Sequence, residues 1–272
     1  MLVENDVFII REAEKQLFDS RKQGGKCVLT PESIDFEMQF YHSDTELQLN
    51  NPTQAGLEHF VRHYGKSYKT LVIDYCVQIK DFSLLADLPN LEAIRIGWCR
   101  NVSQLWDLSK NPLLRVISIH NAKRIVDNPI QLRQSSSLEE VRLWGGGWDS
   151  KHTLSSMECF SDIKTLKRID LNNIKLKSRD FFVLDTLPEL EEFHFDAGML
   201  TTEEIAWICA RYPQIYGDCL GAYTRNEVGC LNDVRVCGHR KPGLDLPADQ
   251  KRLDRYIAEF DALVEKYRNE VK

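Results

Sequence analysis

One nine-residue pattern recurs through the middle of this chain and constrains its fold more than any other feature. It reads Tyr68-Lys69-Thr70-Leu71-Val72-Ile73-Asp74-Tyr75-Cys76, then Leu91-Glu92-Ala93-Ile94-Arg95-Ile96-Gly97-Trp98-Cys99. The first, fourth and sixth places are large and mostly aliphatic. The same three places return at Leu114, Ile117 and Ile119, at Leu138, Val141 and Leu143, at Leu166, Ile169 and Leu171, and at Leu190, Phe193 and Phe195. The steps between first places are 23, 23, 24, 28 and 24 residues. Leu47 and Leu49 stand 24 residues before Leu71 and Ile73 and mark an earlier copy. Self-similarity at this period predicts a stack of equivalent units.

Places four and six point to one side of a strand, so each copy predicts a strand with its apolar side inward. Places three, five and seven point to the other side. One copy cannot bury its own apolar edge, so the core arises from stacking. A small ninth residue, Cys76 or Cys99, fits where the chain turns inward and acts as a small hydrophobe.

The chain resembles a leucine-rich-repeat protein, whose unit reads L-x-x-L-x-L-x-x-N/C. The resemblance covers about residues 45–215. Cys76-Val77-Gln78-Ile79 and Cys99-Arg100-Asn101-Val102 resemble the cysteine-containing repeat class, and Ala122-Lys123-Arg124-Ile125 keeps the spacing. Gly146, Ile174 and Gly198 depart from it at the ninth place. The resemblance implies an α/β solenoid, a right-handed horseshoe with a parallel sheet on the concave face. It also implies short helices on the convex face and helical caps at both ends. Fold alone does not assign an activity.

The flanks set three expected regions: an N-terminal cap over 1–44, the repeats over 45–215 and a C-terminal cap over 216–272. Val3, Val7, Ile10, Ala13 and Leu17 predict a helix over 2–22. Ile34, Phe36, Met38 and Phe40 alternate with polar residues and predict a strand. Leu57, Phe60, Val61 and Tyr64 predict a short amphipathic helix. Ser103 and Ser178 are candidate caps of convex helices. Gly145-Gly146-Gly147 predicts a mobile lip carrying Trp148. Thr201-Thr202-Glu203-Glu204 opens another helix. Ile215 and the run Leu231-x-x-Val234-x-Val236 extend the expected sheet to about Cys237. A last helix over 248–270 carries a stripe of Leu253, Tyr256, Ile257, Phe260, Leu263, Val264 and Tyr267.

Composition narrows the function classes. The net charge of -6 gives no reason to expect nucleic-acid binding. No segment has the length of a membrane span and the N-terminus lacks the pattern of a secretory signal. A cytoplasmic monomer with free thiols at its eight cysteines is expected. No phosphate-binding loop or nucleophile elbow occurs, so no cofactor and no enzymatic activity are expected. The expected function is binding of a protein partner on the concave face, through Tyr75, Arg95, Trp98, His120, Arg142, Trp144, Trp148, Asp170 and His194. Aromatic residues and arginines of this kind provide interface hot spots. Asp170 and His194 hold equivalent places in adjacent copies and could touch. Two alternatives stand beside this reading. One is a metal-binding or enzymatic module using Cys219, Cys230, Cys237 and His239. The other is a scaffold or regulator that meets its partner through a terminal helix.

Overall fold

A computed structural model describes residues 16–17, 28–40, 45–147, 150–226 and 231–271. The recurring pattern forms the strands it predicts. Strands β2 (Glu46–Asn50), β3 (Thr70–Asp74), β4 (Ala93–Gly97), β5 (Val116–His120), β6 (Glu140–Trp144), β8 (Arg168–Asn172) and β10 (Glu192–Phe195) form one parallel sheet. The two-residue strand β1 (Gln16–Leu17) lies beside β2. Register follows the repeat place by place: Leu71 pairs with Ile94, Ile94 with Ile117, Ile117 with Val141, Val141 with Ile169, and Ile169 with Phe193.

Places four and six are buried in every copy, as are Cys76, Cys99 and Ala122 at place nine and Ile79, Val102 and Ile125 three residues on. The Cys76 thiol donates to the Ile73 carbonyl at 3.1 Å. The eighth residue has a second regularity. Asn51, Tyr75, Trp98, Asn121 and Asn173 all have φ between 49° and 56°, the left-handed region. Here the amide of Asn51 donates to the carbonyl of Asp74, Trp98 to His120, and Asn121 to Trp144. These bonds continue the sheet ladder into the turn. Asparagine tolerates this conformation; tyrosine and tryptophan do so at a cost.

The return segments carry single 3-10 turns rather than the short helices expected: Ser83–Asp87, Leu108–Lys110, Ile130–Gln134, Met157–Phe160 and Phe182–Thr186. Between β5 and β6 the return segment also carries a short α-helix, α3 (Lys123–Asp127). Neither Ser103 nor Ser178 caps a turn; Asp107 caps 108–110 by accepting from Ser109 N. Buried Asn111 joins two turns: its Nδ2 donates to Leu85 O at 3.0 Å and Leu88 O at 2.8 Å, and its Oδ1 accepts from Trp106 Nε1.

The expected strand over 34–40 is instead helix α1 (Pro31–Met38). Thr30 caps it in a capping box with Ser33, and Pro31 occupies its first turn. That start signal outranks the alternation, because it satisfies orphan amides locally. Helix α2 (Gln54–His63) buries Leu57, Phe60 and Val61 as expected. Of the expected helix over 2–22, residues 16–17 are strand β1 and the others lie outside the described residues.

The 28-residue copy has a structural cause. It inserts β7 (His152–Leu154), which pairs in parallel with β9 (Ile174–Leu176) in a separate two-stranded sheet. Ile174 departs from the pattern because it starts that strand. Of the expected lip, Gly145 and Gly146 are packed, Gly147 is exposed, and Trp148 lies outside the described residues. A side chain on Gly145 would meet Asn173 O at 2.1 Å, and Gly146 N donates to Ser150 O at 3.1 Å.

The parallel sheet ends at a single bridge between Glu192 and Tyr216, short of the expected Cys237. Strands β11 (Tyr223–Arg225), β12 (Val234–Val236) and β13 (Gly243–Leu244) form a separate antiparallel sheet, and Leu231 is 99% exposed. Helix α4 (Thr202–Arg211) starts at a Thr201–Glu204 capping box. Helix α5 (Gln250–Val271) packs along α4. Phe260 and Val264 join the main core, and Leu253 joins a small core with Val234, Val236 and Leu244.

Candidate functional site

The sheet face opposite the core divides into an ion-paired region between β6 and β10, bordered by a cleft of about 820 Å³ that Trp144, Asn172 and Asp196 line, and an exposed aromatic region. Between β6 and β10 the charged side chains pair with one another, although Arg142 Nη2 and Arg168 Nε are buried without a hydrogen-bond partner among the described residues. Arg142 pairs with Glu140, Arg168 lies 3.4 Å from Glu140 and 2.7 Å from Glu192, and His194 lies 2.7 Å from Glu192 and 3.4 Å from Asp218. Arg142 is 3% exposed. This corrects the expectation that it faces a partner; register places it against Ser118 and Asp170, under its neighbours. Asp170 and His194 are register partners, as their places predict. His194 nevertheless bonds Glu192. Burial pushes the Asp170 carboxyl up, against the opposing charges of Arg142, Arg168 and His194.

His120 stacks on Trp144 with ring centroids 4.6 Å apart, and its Nε2 lies 2.7 Å from Ser118 Oγ. Both rings are half-buried. Trp148 lies outside the described residues.

The exposed aromatic region lies at the ends of β3 and β4. Tyr75 is 53% exposed and Trp98 43%. Their rings stack 13° from parallel, with centroids 6.0 Å apart. Beneath them Arg95 pairs with Asp74 across adjacent strands. Val77 beside them is also exposed. Sequence reasoning selected both aromatic residues but missed their backbone state. The signal was present in the asparagines at the same place in three other copies.

A second surface, absent from the sequence reading, lies on the return side. The segment 178–182, helix α4 and helix α5 enclose a groove of about 570 Å³ lined by Phe181, Phe182, Trp207 and Tyr267.

Among the described residues no group of three His, Cys, Asp or Glu side chains is placed to hold a metal ion. Cys219 and Cys237 are free thiols, His239 is exposed, and Cys230 lies outside the described residues. No described helix is long and apolar enough to cross a membrane. No family model, curated protein or solved structure matches this chain.

Proposed function

We propose that this chain is a leucine-rich-repeat solenoid that binds a protein partner, and that the Tyr75–Trp98 platform is the centre of the contact. One observation carries the reading. Two large aromatic rings stand exposed at a left-handed position that Asn51, Asn121 and Asn173 fill elsewhere in the repeat. Strained residues persist where something other than stability retains them, and such strain clusters at binding sites. Tyrosine and tryptophan are also the residues that contribute most at interfaces. The proposed site is narrower than the nine residues named from sequence. Arg142, Asp170 and His194 support the sheet from within their ion-pair network. A cytoplasmic setting belongs to the reading and is supported by the six described cysteines, all free thiols.

The test is site-specific photo-crosslinking in the native host, with the reactive residue at position 75, at 98, or at exposed Lys175 as the control. The expected result is one shared protein adduct at 75 and 98 that the control lacks. Adducts no stronger than the control would reject the platform as the contact.

A further inference from the structure

We propose that the groove between segment 178–182 and helices α4 and α5 is a second docking surface, which takes a cationic side chain, lysine or arginine, from a partner peptide. It lies on the return side, apart from the Tyr75–Trp98 platform, and rests on separate observations.

Four aromatic residues line the groove: Phe182 is largely exposed, Trp207 and Tyr267 are half-buried against the main core, and Phe181 is buried. Phe182 is 57% exposed, and Trp207 is half-buried with its ring edge-to-face on Phe182 at 5.2 Å. Packing against the core accounts for Trp207 and Tyr267 but not for the exposed ring of Phe182.

The charged residues around the rings are unbalanced. Arg179, Asp180, Glu203 and Glu204 line the groove. Arg179 and Glu204 form an ion pair and neutralise each other. Asp180 accepts only the Phe182 amide at 3.0 Å, and Glu203 is exposed with no ion-pair partner among the described residues. The surplus is two carboxylates beside aromatic faces.

The chain's own cations already use this chemistry at the margin. Arg211 lies 5.1 Å over the Phe182 ring and 5.7 Å over Trp207, outside the groove lining, with its charge matched by Asp185 at 2.7 Å. Lys266 lies 5.5 Å over Tyr267. Aromatic faces attract cations through the ring quadrupole. A long basic side chain fits better than a bare ion, since its aliphatic stem covers apolar rings while its head reaches the acids. The acidic net charge of -6 favours approach by a basic partner.

The experiment titrates the whole protein with N-acetyl-arginine N-methylamide, and separately with its norleucine counterpart. The readout is the Trp207 indole cross-peak in an amide-correlation spectrum, assigned with Trp207→Phe. The expected result is a saturable shift with arginine, half-complete on the order of millimolar, and none with norleucine. Phe182→Ala abolishes the shift, and Glu203→Gln weakens binding about threefold. Both side chains are exposed, so both variants fold, as an unchanged spectrum elsewhere checks. A Trp207 peak that arginine never moves overturns the proposal. Equal shifts with norleucine, or binding unchanged in both variants, overturn it as well.

Discussion

Asp74 occupies the space that a side chain on Gly97 would need. A Cβ on Gly97 would come within 1.9 Å of Asp74 Oδ1. The glycine therefore makes room for the Asp74–Arg95 ion pair, whose side chains are 12% and 19% exposed. Gly97→Ala forces Asp74 aside and breaks a charge-assisted hydrogen bond, a loss of about 2 kcal/mol. Urea denaturation measures it. Adding Asp74→Ala removes the clash, so the double variant is expected to lose no more than Asp74→Ala alone. A Gly97→Ala protein as stable as the parent would show that the pair has another geometry.

His152 makes stability depend on pH. The ring is 4% exposed, and neither nitrogen has a hydrogen-bond partner among the described residues. Burial, aided by the charge of Lys123, holds its pKa below the ordinary histidine value of about 6.5. The unfolded chain therefore binds a proton that the folded chain refuses. Stability is full above pH 6.5 and falls as pH drops below it, by at most about 1.4 kcal/mol per pH unit. The loss levels off below the depressed folded-state pKa. Other groups titrate over the same range, so the readout is the difference between parent and variant. His152→Leu is expected to flatten this part of the curve between pH 7.5 and 5.5, taken as flanking values about one unit either side of 6.5. Parallel curves for parent and variant would remove His152 as the cause.

How much of this was legible in the sequence depended on whether the determinant was local. Leu91, Ile94, Ile96 and Cys99 announced their burial because each repeats with its whole environment. Ile34, Phe36, Met38 and Phe40 misled because alternation over seven residues competes with a cap, and Thr30 with Pro31 decided the matter. Val234 and Val236 misled differently. They are inward strand residues, but their partners at β11 and β13 run antiparallel, which spacing cannot distinguish. Arg142 shows the limit at the site. Its place on the outer face was right, yet Glu140 on its own strand pairs with it and buries it. The Phe182–Trp207 groove was not legible, because it joins residues 25 positions apart with Tyr267 from the last helix.

The thiols give a prediction about reactivity. Burial pushes Cys76, Cys99 and Cys159 up, so almost no thiolate is present near neutrality. Burial also pushes Cys209 up to about 11, but it is half-exposed. Of these four thiols, Cys209 should be the first that iodoacetamide alkylates at mildly alkaline pH, as read by peptide mass spectrometry. The three repeat cysteines should label only at the rate of global unfolding. Fast labelling of Cys76 in native conditions would mean that the repeats open locally.

The Tyr75–Trp98 platform sets stability against function, and the two contributions can be separated by arithmetic. Replacing either ring with asparagine relieves left-handed strain of about 1 kcal/mol. It also removes the stack, a loss of about 0.5–1.5 kcal/mol. Each single variant therefore stays within a few tenths of the parent. The double variant relieves strain twice but loses the stack once, so Tyr75→Asn/Trp98→Asn should be more stable by about 1 kcal/mol. Denaturation midpoints of the four proteins give the coupling directly. Asparagine already occupies this place at 51, 121 and 173 with the same φ, so the backbone need not move. If the double variant is instead destabilised by as much as the two singles summed, the rings are ordinary packing residues. A gain in stability with loss of the photo-crosslinked partner would identify them as residues kept for binding.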